Sequence, residues 1–343
     1  MPANWKERLS DNWPVLLILP VTVFLISFTI GRFPISLPDL LHTLYYHFAD
    51  PSQIKNVNME TTLFNIRLPR VLAVLIVGGG LSIAGAAYQG MFKNPMVSPD
   101  LLGASAGAAF GACLAMLLGL PTLMVQLFGF ISGIVAVSVA TQATKKLSRD
   151  PLLGLVLGGI MISTLFSSGT SALKLLADAD NKLPQITFWL MGSFNIMSNT
   201  RLLSILLPIA VSFVIIFSMR WHLNVMSFGE EEARSLGVKT ERVRRLVIIA
   251  ATLITSSSVS VCGMIGWVGL VIPHLGRALI GPNFIRLIPA CAILGSTFLL
   301  IVDNVARCTF TVELPIGILT AFIGVPFFFL IFKYNDKGGH GSD

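Results

Sequence analysis

Eight strongly apolar stretches of this chain carry no charged side chain, and the shortest is sixteen residues long. They are 12–31, 71–92, 101–144, 151–173, 202–219, 246–276, 287–302 and 314–332. A hydrocarbon core about 30 Å thick is crossed by about 20 residues of helix. The run 101–144 is long enough for two crossings, broken near Gly119-Leu120-Pro121. The run 246–276 holds one full crossing and a short one, broken across 263–269. The expected total is ten transmembrane helices. Strands of a membrane barrel would alternate every second residue, and these runs do not. The chain therefore reads as an all-α integral membrane protein, a single transmembrane domain over 1–343.

Charge supports this. Only 12% of residues are charged, against about 25% in a soluble domain. The net charge of +7 does not point to nucleic acid, because the cations sit in short loops between apolar runs. Ten crossings place both termini on one side. Counted that way, their side holds Lys6, Arg8, Lys93, Lys145, Lys146, Arg149, Arg220, Arg234, Lys239, Arg242, Arg244, Arg245, Arg277, Arg286, Lys333 and Lys337. The other side holds Arg32, Lys55, Arg67, Arg70, Lys174, Lys182, Arg201 and Arg307. The two-to-one bias predicts cytoplasmic termini in the cell (inner) membrane. Lys6 and Arg8 precede a long apolar run without a small-residue cleavage site, so a retained first span is expected. The closing GGHGSD reads as a flexible tail.

An internal repeat is expected. Ser82, Gly85, Pro95 and Gly103 match Ser260, Gly263, Pro273 and Gly281 at a constant offset of 178. One copy follows an inward span and the other an outward span, as in an inverted-topology repeat. The halves would be about 66–176 and 243–333.

One internal stretch breaks the apolar pattern. Residues 228–246, FGEEEARSLGVKTERVRRL, hold nine charges: Glu230, Glu231, Glu232, Arg234, Lys239, Glu241, Arg242, Arg244 and Arg245. Ser227 followed by Glu230 suggests a capping box, with the three glutamates in a favoured first turn. Gly237 suits a helix C′ position. A second short helix over about 239–246 would carry its basic residues late. Two short helices with a glycine break are thus expected, serving as a solvated connector or as a docking handle.

Cys113, Cys262, Cys291 and Cys308 are scattered through apolar runs and read as buried small hydrophobes. His274 is the only histidine inside an apolar run, and His42, His47, His222 and His340 are too distant in sequence to form a metal site with it. Trp189 in FWLMGSF suits an outer interfacial position beside a short helix. Asn94, Pro95, Ser98, Pro99 and Asp100 mark a polar break that must be buried in protein or face water. No metal and no cofactor is expected.

At this point the sequence resembles a known family. IRLPRVLAVLIVGGGLSIAGAAYQGMFKNPMVSPDLLGASAGAAFGA (66–112) is similar to the signature region of FecCD-type permeases. These are the membrane subunits of binding-protein-dependent ABC importers for iron–siderophores, haem and vitamin B12. GWVGLVIPHLGRALIGPN (266–283) and ELPIGILTAFIGVPFF (313–328) resemble the second-half motifs, and 228–246 resembles the cytoplasmic loop. The likeness runs from the first span to the last. It implies a type II ABC importer-like architecture with ten helices per subunit. It also implies a homodimer with the pathway at its interface, two cytoplasmic ATP-binding subunits and an extracytoplasmic substrate-binding protein.

Roles follow from combining residues and resemblance. The chain has no Walker A pattern, so ATP must be hydrolysed on another polypeptide and the chain is not itself an enzyme. Coupling to that ATPase is expected through Glu230, Glu231, Glu232, Arg234, Gly237 and Arg242. Arg67 and Arg70 are like charges one turn apart, which lipid headgroups or Glu60 would relieve. The resemblance to the vitamin B12 permeases implies instead that Arg67, Arg70 and Arg307 dock glutamates of the binding protein. Arg307 has Asp303 one turn away as a second choice. Gly159, Ser163, Ser167 and Ser171 form a small-residue stripe that suits close helix packing or a pathway that must not grip its cargo. The resemblance places this span at the pathway.

A membrane enzyme would need paired acids or clustered ligands inside the spans, and a passive channel charged rings or a repeated filter motif. Neither occurs. The cargo expected is a metal chelate (iron–siderophore, haem or corrinoid), with a molybdate-type oxyanion as the alternative. Besides these partners only membrane lipid is expected, and no nucleic acid.

Overall fold

The computed structural model describes residues 13–31, 33–50, 53, 56–147, 151–309 and 312–339. Lys6, Arg8, Arg32, Lys55, Arg149 and the last four residues of the tail lie outside them, as do the side chains of Lys145, Lys146, Lys333 and Lys337. The described residues are helical, with no strand.

In chain order the helices are α1 (Trp13–Thr29), α2 (Leu37–Ala49), α3 (Val57–Met91), α4 (Ala104–Leu117), α5 (Thr122–Leu147), α6 (Pro151–Leu176) and α7 (Lys182–Leu190). They continue as α8 (Asn199–Phe228), α9 (Glu230–Ser235), α10 (Thr240–Cys262), α11 (Val268–Ile280), α12 (Phe284–Cys308) and α13 (Ile316–Gly339). Among the described residues, α3, α5, α6, α8, α10 and α12 are long and apolar enough to cross a bilayer. α1, α4, α11 and α13 contribute shorter apolar helices. Each of the ten expected segments thus has its helix. The chain is a multi-pass membrane protein.

α3 forms the centre. Its apolar stretch is 83% buried, whereas that of α8 is 22% buried and faces outward. Centrality demands small residues. A Cβ on Gly85 would fall 1.8 Å from the Gly269 carbonyl oxygen, so α3 and α11 touch backbone to backbone. α3 also contains a π turn over Thr62–Arg67, where the Leu68 N–H reaches back to Leu63. This wide turn sits just before Pro69, which has no N–H and whose ring crowds the preceding turn.

Several expectations need correcting. The order long, short, long recurs in α3–α5 and in α10–α12, but two of the four residue matches fall at different places. Gly85 lies inside α3 while Gly263 follows α10, and Pro95 lies in a turn while Pro273 lies inside α11. Cys113, Cys262 and Cys291 are buried, but Cys308 is exposed because it ends α12.

Candidate functional site

The charged stretch folds as one short helix and the head of a long one. The expected capping box does not form. Ser227 still belongs to α8 and donates to the Asn224 carbonyl at 2.6 Å, and the cap of α9 is Gly229. The expected helix over 239–246 is the first part of α10, which runs unbroken to Cys262. Arg242, Arg244 and Arg245 therefore sit near a helix N-terminus, where the dipole opposes them.

Glu230 supplies the compensation. One oxygen accepts from Arg234 Nη2 at 2.9 Å and from Thr240 Oγ at 3.1 Å; the other accepts from Arg244 Nη2 at 3.0 Å. The carboxyl is held below its ordinary value. Partial burial pushes it up, but Arg244, Thr240 and Arg234 together outweigh that.

The turn after α9 is a Schellman motif. Val238 N–H binds Ala233 O and Gly237 N–H binds Arg234 O, both at 2.9 Å. Gly237 takes φ +81°, and Ala233 and Val238 are both buried beneath it. The glycine expectation holds as geometry. What is left outside is a face of Glu231, Glu232, Arg234 and Arg242, with Phe228 and Leu236 exposed beside it at 77% and 63%. Those two apolar side chains were missed in the sequence, where their exposure has no signal.

The loop is not isolated. Asn224, near the end of α8, donates to Asn283 Oδ1 at 2.9 Å and accepts from Phe284 N at 2.7 Å. The foot of the loop is thereby pinned to the start of α12.

The far end of α12 holds the arginines, and there the structure departs from an open docking patch. Arg67, Arg70 and Arg307 are all buried. Arg67 donates to the carbonyls of Phe28 and Phe33, closing the end of α1. Arg70 forks onto Asp303, with Nε at 3.0 Å and Nη2 at 2.9 Å from one oxygen, and its Nη1 lies 3.0 Å from Glu313. Arg307 Nε lies 3.2 Å from the other Asp303 oxygen. Asp303 is thus shared by two cations. Glu60 is not the relief for Arg67 and Arg70, because it pairs with His47 at 2.6 Å. Of the two acids described in the cluster, Asp303 is fully buried and Glu313 is partly exposed, at 22%.

The small-residue stripe of α6 divides in two. Gly159 is buried, and a Cβ there would fall 2.1 Å from the Leu101 carbonyl oxygen. Ser163 faces Gly103 on the same segment. Ser167 and Ser171 are exposed on this chain. The expected polar break is real: Gln89 reaches across it to the Val97 carbonyl at 3.2 Å and is joined by Arg277. α7 is the expected short helix, and its end braces α13 through Gly192 O to Ile316 N at 2.8 Å. His274 packs edge-on against Phe328.

The sequence profile described as the FecCD transport family matches residues 16–333. The molybdate import system permease protein MolB of Haemophilus influenzae is 39% identical over 96% of this chain and 98% of its own. The hemin transport system permease protein HmuU of Yersinia pestis is 33% identical over 94% and 95% respectively. A solved structure, described as an inward-facing conformation of an ABC transporter of the metal-chelate type, superposes with a TM-score of 0.84 at 38% identity. It covers 93% of this chain and 98% of that one.

Proposed function

The chain belongs to the FecCD transport family and is an ABC transporter permease, and we propose that it imports a metal chelate as a homodimer, driven by two separate ATPase subunits. Permease subunits of this family are not themselves catalytic. The observation that carries the proposal is the rigid charged handle 228–246, held by Glu230 and tied to α12 through Asn224. In this reading the face of Glu231, Glu232, Arg234 and Arg242, with Phe228 and Leu236, seats in the ATPase on the cytoplasmic side. Glu230 and Gly237 keep that face in shape.

Movement of the handle then reaches the other end of the molecule along one helix, because α12 begins at Phe284 and ends at the Asp303 cluster. We place the substrate-binding protein at that end. Arg67, Arg70 and Arg307 contribute there by tying α3 to the ends of α1 and α12 and presenting Glu313. The exposed Ser167 and Ser171 of α6 line the pathway between two copies, while Gly159 and Ser163 pack within one copy.

The full-length likeness to a molybdate permease favours a second reading, a molybdate-type oxyanion as cargo. Proteoliposomes holding this chain with its ATPase and binding protein separate the two. Uptake of labelled ferric chelate without molybdate supports the first reading, and the reverse supports the second. No ATP-dependent uptake of either, in vesicles where ATPase activity is stimulated by the binding protein, defeats both.

A further inference from the structure

A cavity of about 740 Å³ opens between α5 and α10, just behind the charged handle. Its mouth carries Gln142, Glu241, Arg244 and Arg245, and its wall mixes the hydroxyls of Ser138, Thr141 and Thr252 with apolar side chains such as Ile249 and Leu253. Leu253 also lines a second cavity of about 560 Å³ farther along the same two helices, which continues to Phe130 and Leu207 of α5 and α8. The two cavities adjoin at Leu253, so the charged end of the first is followed along α10 by the mostly apolar lining of the second, and together they offer a groove.

Arg244 is 8% exposed, and Glu230 takes its Nη2, yet its Nε–H has no hydrogen-bond partner among the described residues. A buried, unmatched guanidinium donor costs about 1–3 kcal/mol or more, so the site is built for an acceptor. Arg245, exposed at the same mouth, is in no ion pair among the described residues. Glu241 stands one turn before it, likewise unpaired. The charged lining is Arg244, Arg245 and Glu241, with Glu230 taking only one nitrogen of Arg244, so an anion beside the arginines and a cation beside Glu241 each find a partner, as in a headgroup with one charge of each sign. Residues 244 and 253 are about 14 Å apart along a helix axis. That matches the hydrocarbon depth of one leaflet, half of about 30 Å.

We propose that this groove holds one phosphatidylethanolamine molecule. Its phosphodiester accepts from Arg244 Nε–H and from Arg245, its ammonium donates to Glu241, and an acyl chain runs past Ile249 to Leu253. Basic pockets between membrane helices take phospholipid headgroups in this way. A phosphatidylcholine headgroup cannot repeat the contact to Glu241, because its quaternary nitrogen has no N–H.

Native mass spectrometry of the full chain, stripped of lipid in neutral detergent and titrated with single lipids, tests this. Phosphatidylethanolamine is expected to bind about fivefold more tightly than phosphatidylcholine. Arg245→Gln should weaken both about fivefold. Glu241→Gln should erase the preference and leave phosphatidylcholine binding unchanged. Ile249→Trp should lower occupancy by both lipids. Equal binding of the two lipids to the unsubstituted chain overturns the proposal. So does displacement of the lipid by millimolar inorganic phosphate, which would make this a free-oxyanion site. Unaltered binding in Arg245→Gln and Ile249→Trp places the lipid elsewhere.

Discussion

Arg70 and Asp303 stand 233 positions apart in the chain and meet in a forked contact, at 3.0 and 2.9 Å, where Asp303 is fully buried. The pair joins the central helix α3 to α12, and Arg307 shares the same carboxylate. A buried charge is tolerated only while its partner is present, and removing one partner costs about 3–5 kcal/mol.

Asp303→Asn should therefore destabilise the chain by about 3 kcal/mol or more, since two arginines lose their counter-charge together. Glu313→Gln should cost about 1 kcal/mol, because water reaches that acid. Thermal unfolding in detergent ranks the two. Equal losses would show that Asp303 is not the hub.

The handle should loosen in acid. A carboxyl whose folded value is depressed contributes stability that is complete above its ordinary value, here 4.5. That contribution is lost as pH falls through the lower folded value. Amide protection across 228–246, taken relative to the intrinsic exchange rate at each pH, should thus be high at neutral pH and fall only below about pH 4.5. Glu230→Gln should show the lowered protection at neutral pH, at a cost of about 1 kcal/mol. A variant with unchanged protection would remove Glu230 from its supporting role.

At Gly237 the backbone is left-handed, and a Cβ there would meet nothing within 4 Å. A substitution acts through conformation alone. Gly237→Val should cost about 1–2 kcal/mol, whereas Gly237→Asn should cost less because asparagine tolerates that region. On the proposed coupling role, transport per ATP hydrolysed should fall in the same order. Parallel losses for Val and Asn would point to a missed contact.

The two halves of the α6 stripe should behave differently. Gly159→Leu drives a side chain into the Leu101 backbone and should prevent stable folding. Ser171→Leu adds an apolar group to an exposed face and should leave stability within about 0.5 kcal/mol. If that face lines the pathway between copies, Ser171→Leu should still block uptake, and Ser167→Cys should form a disulfide across the dimer. Normal uptake together with no cross-link would return the face to lipid.

The division of labour between chain order and folding is visible in particular residues. The ten apolar segments were legible because a hydrocarbon solvent imposes its demand residue by residue, over a length any window can read. Gly237 was legible for a similar reason: a helix stop is local chemistry, complete within six residues. Asp303 with Arg307 was legible as a pair one turn apart. The contacts that decide the sites were not. Arg70 takes Asp303 and Glu313 because α3 lies against α12, and Glu230 takes Arg244 because α9 folds back on the head of α10. Ser227 failed as a cap because α8 ran on past it. The sequence by itself determined where the chain enters and leaves an apolar medium and which residues are charged. Only the tertiary structure decided which charges meet, because a salt bridge forms between neighbours in space, and packing of distant helices chooses those neighbours.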